Sequence, residues 1–275
     1  MPTFTRNNKP VVGTVQLVVG NVLRLRLNGL GPGKKHYVVK SANACIEVKQ
    51  NPNDRQAEQT VVLTALRACP AVRVEAFSAV DGLPSGIHVS IEVTGKLSLP
   101  DPTTDEGCLA RLLLAESIAP KPNTDNAEAL KSMQWMRQVI ENRMAFSDPK
   151  HFGKPAGKTM TAFITAKQPL QFEGFGNYPN IGAKQANIDE FLRLANDGSD
   201  TRFERMRQHV QNALDVASGA KLGAPAPSKV FAWRTSNSGS PGGNFVKVAD
   251  VGGQAFFTLT QAFIDNPNNP GKPKK

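Results

Sequence analysis

The sequence predicts an α+β protein: an N-terminal all-β sandwich followed by a mainly α-helical domain. Three observations carry that reading. Residues 11 to 95 alternate apolar and polar side chains with a period of two. The stretch "LSLPDPTTDEG", residues 97 to 107, then breaks the alternation with prolines, polar residues and a glycine. Beyond it, apolar residues recur at the three-to-four spacing of a helix face. With 275 residues, 40% of them hydrophobic, the chain suffices for one large domain or two ordinary ones.

In "NVLRLRL" the side chains Leu23, Leu25 and Leu27 share one face, and Arg24 and Arg26 the other. "IHVSIEV" repeats the pattern, with Ile87, Val89, Ile91 and Val93 opposite His88, Ser90 and Glu92. Together with "TVQLVV", "HYVV", "CIEV", "TVVLTAL" and "VRVEAF", this makes about seven short strands between Gly, Pro, Asn and Asp turns. Residues 1–96 are therefore expected to form a sandwich, immunoglobulin-like in scale, that binds, docks or stabilises. Cys45 and Cys69 fall in this region and could pair in an oxidising compartment. Two reduced core cysteines are the favoured expectation.

The stretch from 97 to 107 is read as a linker and 108–263 as the helical domain. "LARLLLAES" is a helix. "TDNAEALKSMQWMRQVIENRMAF" is a second, with Thr124, Asp125 and Asn126 as capping candidates and Leu130, Met133, Met136 or Arg137, Ile140 and Met144 on one stripe. "NIDEFLRLAN" and "SDTRFERMRQHVQNALDVASG" are two more, the last capped by Ser199 or Asp200 and stopped by Gly219. Short strands are expected around "KVFAW" and "QAFFTL". Residues 264–275, ending in "NPGKPKK", read as a disordered basic tail.

Thirty-three Lys and Arg against 23 Asp and Glu give a net charge of +10 and a pI near 9.7. That excess favours a polyanionic partner. Nucleic acid is not expected, because no reader motif accompanies the charge and aromatics make up only 7%. Neither a secretory signal nor a membrane span is visible, so any export is expected to follow a route that reads no N-terminal signal. "GKPAGKT" fails as a phosphate loop, since Phe152 stands where the first glycine belongs. His36, His88, His151 and His209 are scattered without ligand spacing, and no metal or other cofactor is expected. Cys108 has no His motif beside it and reads as a packed small residue.

Glu116 is the exception. It follows Leu109, Leu112, Leu113 and Leu114 in an apolar helix, where a carboxylate must find a partner, take up a proton, or cost several kcal/mol. Such surroundings raise a carboxyl pKa toward neutrality, which suits a general acid on a glycosidic oxygen.

"LARLLLAES", "VIENRM", "QPLQFEGFG", "ALDVASG" and "VADVGGQAFFTL" stand in the order and approximate spacing of the cell-wall hydrolase family of spore-cortex-lytic enzymes, which this chain resembles as a divergent member over residues 105–263. The resemblance implies a lysozyme-like domain that cuts the glycan strands of peptidoglycan. It implies Glu116 as catalytic acid, Asn142 and Arg143 as a pair shaping the cleft, and Gln171 and Phe172 as a loop element near the substrate. The sequence departs from the family at Ser117, where alanine is common, at Gln254, where histidine is expected, and through an insertion at 119–126. Glu173 is the foremost candidate for a second carboxylate, with Glu128 and Glu141 behind it as ordinary helix-surface residues. A single-acid lytic transglycosylase is the favoured mechanism. A muramidase or glucosaminidase would need the second carboxylate, at about 5–5.5 Å if retaining or about 6.5–9.5 Å if inverting. Tyr178 and Trp233 are expected to offer flat faces to sugar rings, whereas Trp135 is expected in the core.

A wall-cutting enzyme without a leader suggests an antibacterial effector, made in the cytoplasm and acting in a target cell's periplasm or outside the cell. A cognate immunity protein and a secretion-apparatus adaptor would be its partners. The alternatives are a phage-type lysin, or a non-catalytic module that binds cell wall or protein.

Overall fold

A computed structural model describes residues 2–51, 57–123 and 125–268. Two compact units emerge, Met1–Lys96 with Asn196–Phe203, and Leu97–Ala195 with Glu204–Lys275.

The described residues of the first unit form β1 (Phe4–Arg6), β2 (Lys9–Pro10), β3 (Thr14–Val18), β4 (Val22–Asn28), β5 (Val38–Ser41), β6 (Ile46–Gln50), β7 (Glu58–Ala65), β8 (Cys69–Phe77) and β9 (Pro84–Thr94). All seven segments expected from the alternation are strands, and the β1–β2 hairpin precedes them. One sheet has the order β2-β1-β4-β7-β6 and the other β3-β9-β8-β5, with β3 parallel to β9. Four strands, β1-β4-β7-β6, thus share a sheet, while β5, β8 and β9 lie in the other; this is the immunoglobulin-type distribution. In β4, Leu23, Leu25 and Leu27 are buried while Arg24 and Arg26 are exposed, as their period of two requires.

Two glutamines complete what the ladders leave open at Tyr37 and Val39. The buried Gln59 amide accepts from Tyr37 N and donates to Tyr37 O, both at 2.9 Å. Gln50 accepts from Val39 N and donates to the same Tyr37 carbonyl. The expectation of two reduced cysteines is overturned, because Cys45 and Cys69 form a disulfide. Cys45 precedes β6 and Cys69 opens β8, so strands of opposite sheets are tied together. The period-two pattern places each cysteine but says nothing of their approach. Asn21 also holds the excursion Asn196–Phe203, donating to Asn196 O and accepting from Gly198 N.

The second unit contains α1 (Asp105–Glu116), α2 (Asn126–Met144), α3 (Met160–Ile164), α4 (Ala183–Ala195), α5 (Phe203–Ser218), β10 (Ala232–Thr235), β11 (Phe245–Val251), β12 (Gln254–Leu259) and α6 (Gln261–Asp265). The first helix starts inside the expected linker. Thr104 caps it by accepting from Gly107 N, and Asp101 O lies where a Cβ on Gly107 would fall. Asp105 opens α1 and accepts from Met160 N and from Thr161 N and Oγ1, capping α3. Burial opposes its charge, but these bonds outweigh it and hold its carboxyl below the usual value.

Asp125 caps α2, accepting from Ala127 N and Glu128 N; Thr124 lies outside the described residues. Gly219, with φ of 86°, ends α5. The three strands form an antiparallel sheet, β10-β12-β11. The edge strand β11 went unpredicted, because its side chains are mostly half-buried or exposed without strict alternation. The expected tail begins too early, since Ile264 and Asp265 belong to α6; residues 269–275 lie outside the described set. Leu109, Leu112 and Leu113 of α1 pack with Met133, Met136, Val139 and Ile140 of α2 and Phe256 of β12 in one core. Each buried leucine contributes about 2 kcal/mol of transfer free energy.

Candidate functional site

Glu116 is the last residue of α1, and the structure corrects the surroundings expected for it. Its side chain is 23% exposed and forms an ion pair with Lys184 of α4. Of the choices open to a carboxylate in an apolar run, it has found a partner. The leucines before it face the core, while the helix ends where the carboxylate turns outward.

The main chain at this helix end is fixed from two sides. Gln254, 3% exposed, donates to Glu116 O at 2.8 Å. Ser117 N donates to Leu113 O, and Ser117 Oγ shares a 3.2 Å hydrogen bond with Nε2 of the buried His209. Ser117 and Gln254 therefore hold the main chain at Glu116 in place. Burial drives the His209 pKa down to about 4, since a proton would place an unpaired charge in the core.

The loop carrying "QFEGFG" reaches the same place through Lys184. The Lys184 ammonium lies 5.9 Å from the centroid of Phe175, and the Lys184 stem passes close to Gly174. Glu173 is exposed on this loop. Lys184 carried no sequence signal; its pairing with Glu116 spans 68 residues.

The other candidates divide. Tyr178, expected to face a sugar, instead anchors the loop. Its hydroxyl donates to Pro102 O at 2.7 Å and its ring stacks on Phe175. Burial first, then the neighbouring Cys108, pushes its phenol up to about 12. Asn142 also serves the fold, donating to Val230 O at 2.8 Å just before β10. Trp135 is in the core, edge-on to Phe256. Cys108 is fully buried, and burial raises its thiol to about 12. Glu128 accepts from Gly252 N and Glu141 pairs with Arg137.

Arg143, Gln171, Phe172 and Trp233 come together, but in a different place. Arg143 donates from Nε to Phe231 O and from Nη1 to Gln171 Oε1. Phe172 is buried and stacks on the half-buried Trp233 at 4.9 Å. Arg143, Gln171 and Trp233 line a pocket of about 530 Å³ whose wall does not include Glu116. The set expected to form one cleft is thus two clusters in the same unit. Among the described residues no group of three or more His, Cys, Asp or Glu is placed to hold a metal ion. No described helix is long and apolar enough to cross a membrane.

No family model matches the chain, and no curated protein matches it. Among solved structures, the complex of titin M10 with an obscurin-like 1 immunoglobulin domain is similar at 18% identity, covering 31% of this chain and 89% of that one, with a TM-score of 0.21. A mutant form of that complex is similar at 20% identity, covering 35% and 96%, with a TM-score of 0.22.

Proposed function

We propose that this chain is a lysozyme-like enzyme that cleaves the glycan strands of peptidoglycan, with Glu116 as its single acid and base. The observation that carries the reading is the placement of Glu116. Its backbone is fixed by Gln254 and by the Ser117–His209 contact, while its carboxylate stays reachable beside an aromatic loop. The ordered resemblance over residues 105–263 adds to this, because the residue so placed is the one matching that family's acid.

In the reaction, the Glu116 carboxyl gives its proton to the glycosidic oxygen as the C1–O bond breaks. The carboxylate then accepts the proton of the muramic O6 hydroxyl, whose oxygen bonds to C1 and closes an anhydro ring. Water in place of O6 gives hydrolysis, with Glu173 as the carboxylate to activate it. Lys184 occupies the Glu116 carboxylate, so the binding sugar has to displace the ammonium for Glu116 to act.

The Cys45–Cys69 bond suits an oxidising compartment such as a periplasm, in keeping with an exported antibacterial effector held in check by an immunity protein. A second reading, non-catalytic binding to cell wall, is favoured by the Lys184 ion pair, which occupies Glu116.

Digestion of purified peptidoglycan by the wild type and Glu116→Gln decides between them, with released muropeptides read by mass spectrometry. The wild type is expected to release anhydro-muramyl ends, and the variant at least about a hundredfold less while remaining folded. Hydrated ends would move the mechanism to Glu173. Equal release by both proteins would remove Glu116 as the acid; release by neither would leave the binding reading.

A further inference from the structure

We propose that the pocket beside Arg143, separate from Glu116, binds an acidic sugar through its carboxylate. The sugar body rests on the proposed action on peptidoglycan; the carboxylate does not. At about 530 Å³, the pocket is of a size that takes a small ligand.

Arg143 lies in the last turn of α2, 7% exposed, with its guanidinium 5.3 and 5.2 Å from the ring centroids of Phe152 and Phe172. Its hydrogen bonds go to two neutral acceptors, Phe231 O and Gln171 Oε1. Among the described residues no carboxylate pairs with it, and its Nη2 donates to no protein acceptor. Burial accordingly draws its pKa down to about 9. A buried cation left without an anion is costly, and arginine's planar fork is shaped to take a carboxylate through two parallel N–H bonds.

The rest of the wall agrees in sign and chemistry. Among the described residues no Asp or Glu lines the pocket, whereas Arg234 stands exposed at its edge. Trp233 is held by its stack on Phe172 and remains half-buried, which suits it to cover the apolar face of a pyranose ring. The Asn244 side-chain amide, also lining the pocket, makes no hydrogen bond within the described residues and can serve a hydroxyl or acetamide. Cation, flat ring and amide on one wall point to a carboxylate joined to a sugar ring rather than to a bare inorganic anion.

Trp233 supplies the readout. In a Trp135→Phe background it is the remaining tryptophan, so its fluorescence reports the pocket. The probes are N-acetylmuramic acid, its methyl ester and N-acetylglucosamine. The acid is expected to change the emission saturably at millimolar concentration, with the ester and the neutral sugar at least about tenfold weaker. Arg143→Gln should lose the preference for the acid, and Arg234→Ala should weaken the acid about two- to threefold, as one exposed charge contributes little. Equal response to acid and ester, or no response to the acid, overturns the proposal without need of the Arg143 variant. Peptidoglycan cleavage, measured separately on the same protein, keeps the two readings apart. Cleavage without acid-selective binding leaves only the enzyme reading; acid-selective binding without cleavage leaves only the pocket.

Discussion

His209 sets one ring nitrogen against Ser117 and buries the other, Nδ1, without a hydrogen-bond partner. Its folded pKa, about 4, lies below the unfolded value of 6.5, so between these pH values the unfolded chain binds the additional proton. The stability contributed by the neutral ring is complete above pH 6.5 and is lost as pH falls through the folded value. That interval is worth about 3 kcal/mol. Denaturant unfolding of wild type and His209→Gln at about pH 7 and about pH 4 should show the wild type losing about 3 kcal/mol more. Equal losses would mean that the ring is not held neutral. Glu116 shows what a single residue discloses in sequence and what it does not. Its odd position among leucines was visible, but its partner was not, because Lys184 is brought in by the packing of a helix far along the chain. Tyr178 misled for a related reason: an aromatic on a loop looks available until its hydroxyl is seen bonded to Pro102.

Elements were legible where periodicity carried them. Strands β3 to β9 and the long helices α2 and α5 each bury one face, and one-sided burial is what a periodic sequence records. Strand β11 failed that test as an edge strand, and the hairpin β1–β2 is too short to establish a period. Arg143 occupies the buried stripe of α2, where a sequence pattern anticipates apolar residues. Its carbonyl neighbour Phe231 immediately precedes β10, and its aromatic neighbours Phe152 and Phe172 lie between α2 and β10, so only the fold explains it. The disulfide is a further inter-element link that periodicity cannot supply. With its cysteines 24 positions apart, it restricts the unfolded chain by about 3 kcal/mol. The double variant Cys45→Ala/Cys69→Ala should therefore lower the unfolding free energy of the sandwich by about that much, and reductant should do the same to the wild type. A variant as stable as the oxidised wild type would mean that Gln59, Gln50 and the apolar core already suffice to hold the sheets.

At the scale of the whole molecule, charge is the property that needs no fold to be read. A net +10 on 275 residues acts over a Debye length of about 10 Å at about 0.1 M salt and only about 3 Å at about 1 M. Attraction to an anionic wall should follow that screening, whereas the chemistry proposed for Glu116 is local. Co-sedimentation with peptidoglycan sacculi separates the two contributions. Wild type and Glu116→Gln are expected to bind alike at about 0.1 M salt and to be released together as salt approaches about 1 M, because the substitution alters one charge among many. Binding that withstands high salt would transfer the affinity from the overall charge to a specific contact. The Arg143 pocket is where that contact would be sought, since a buried guanidinium on a carboxylate is screened far less than exposed lysines are.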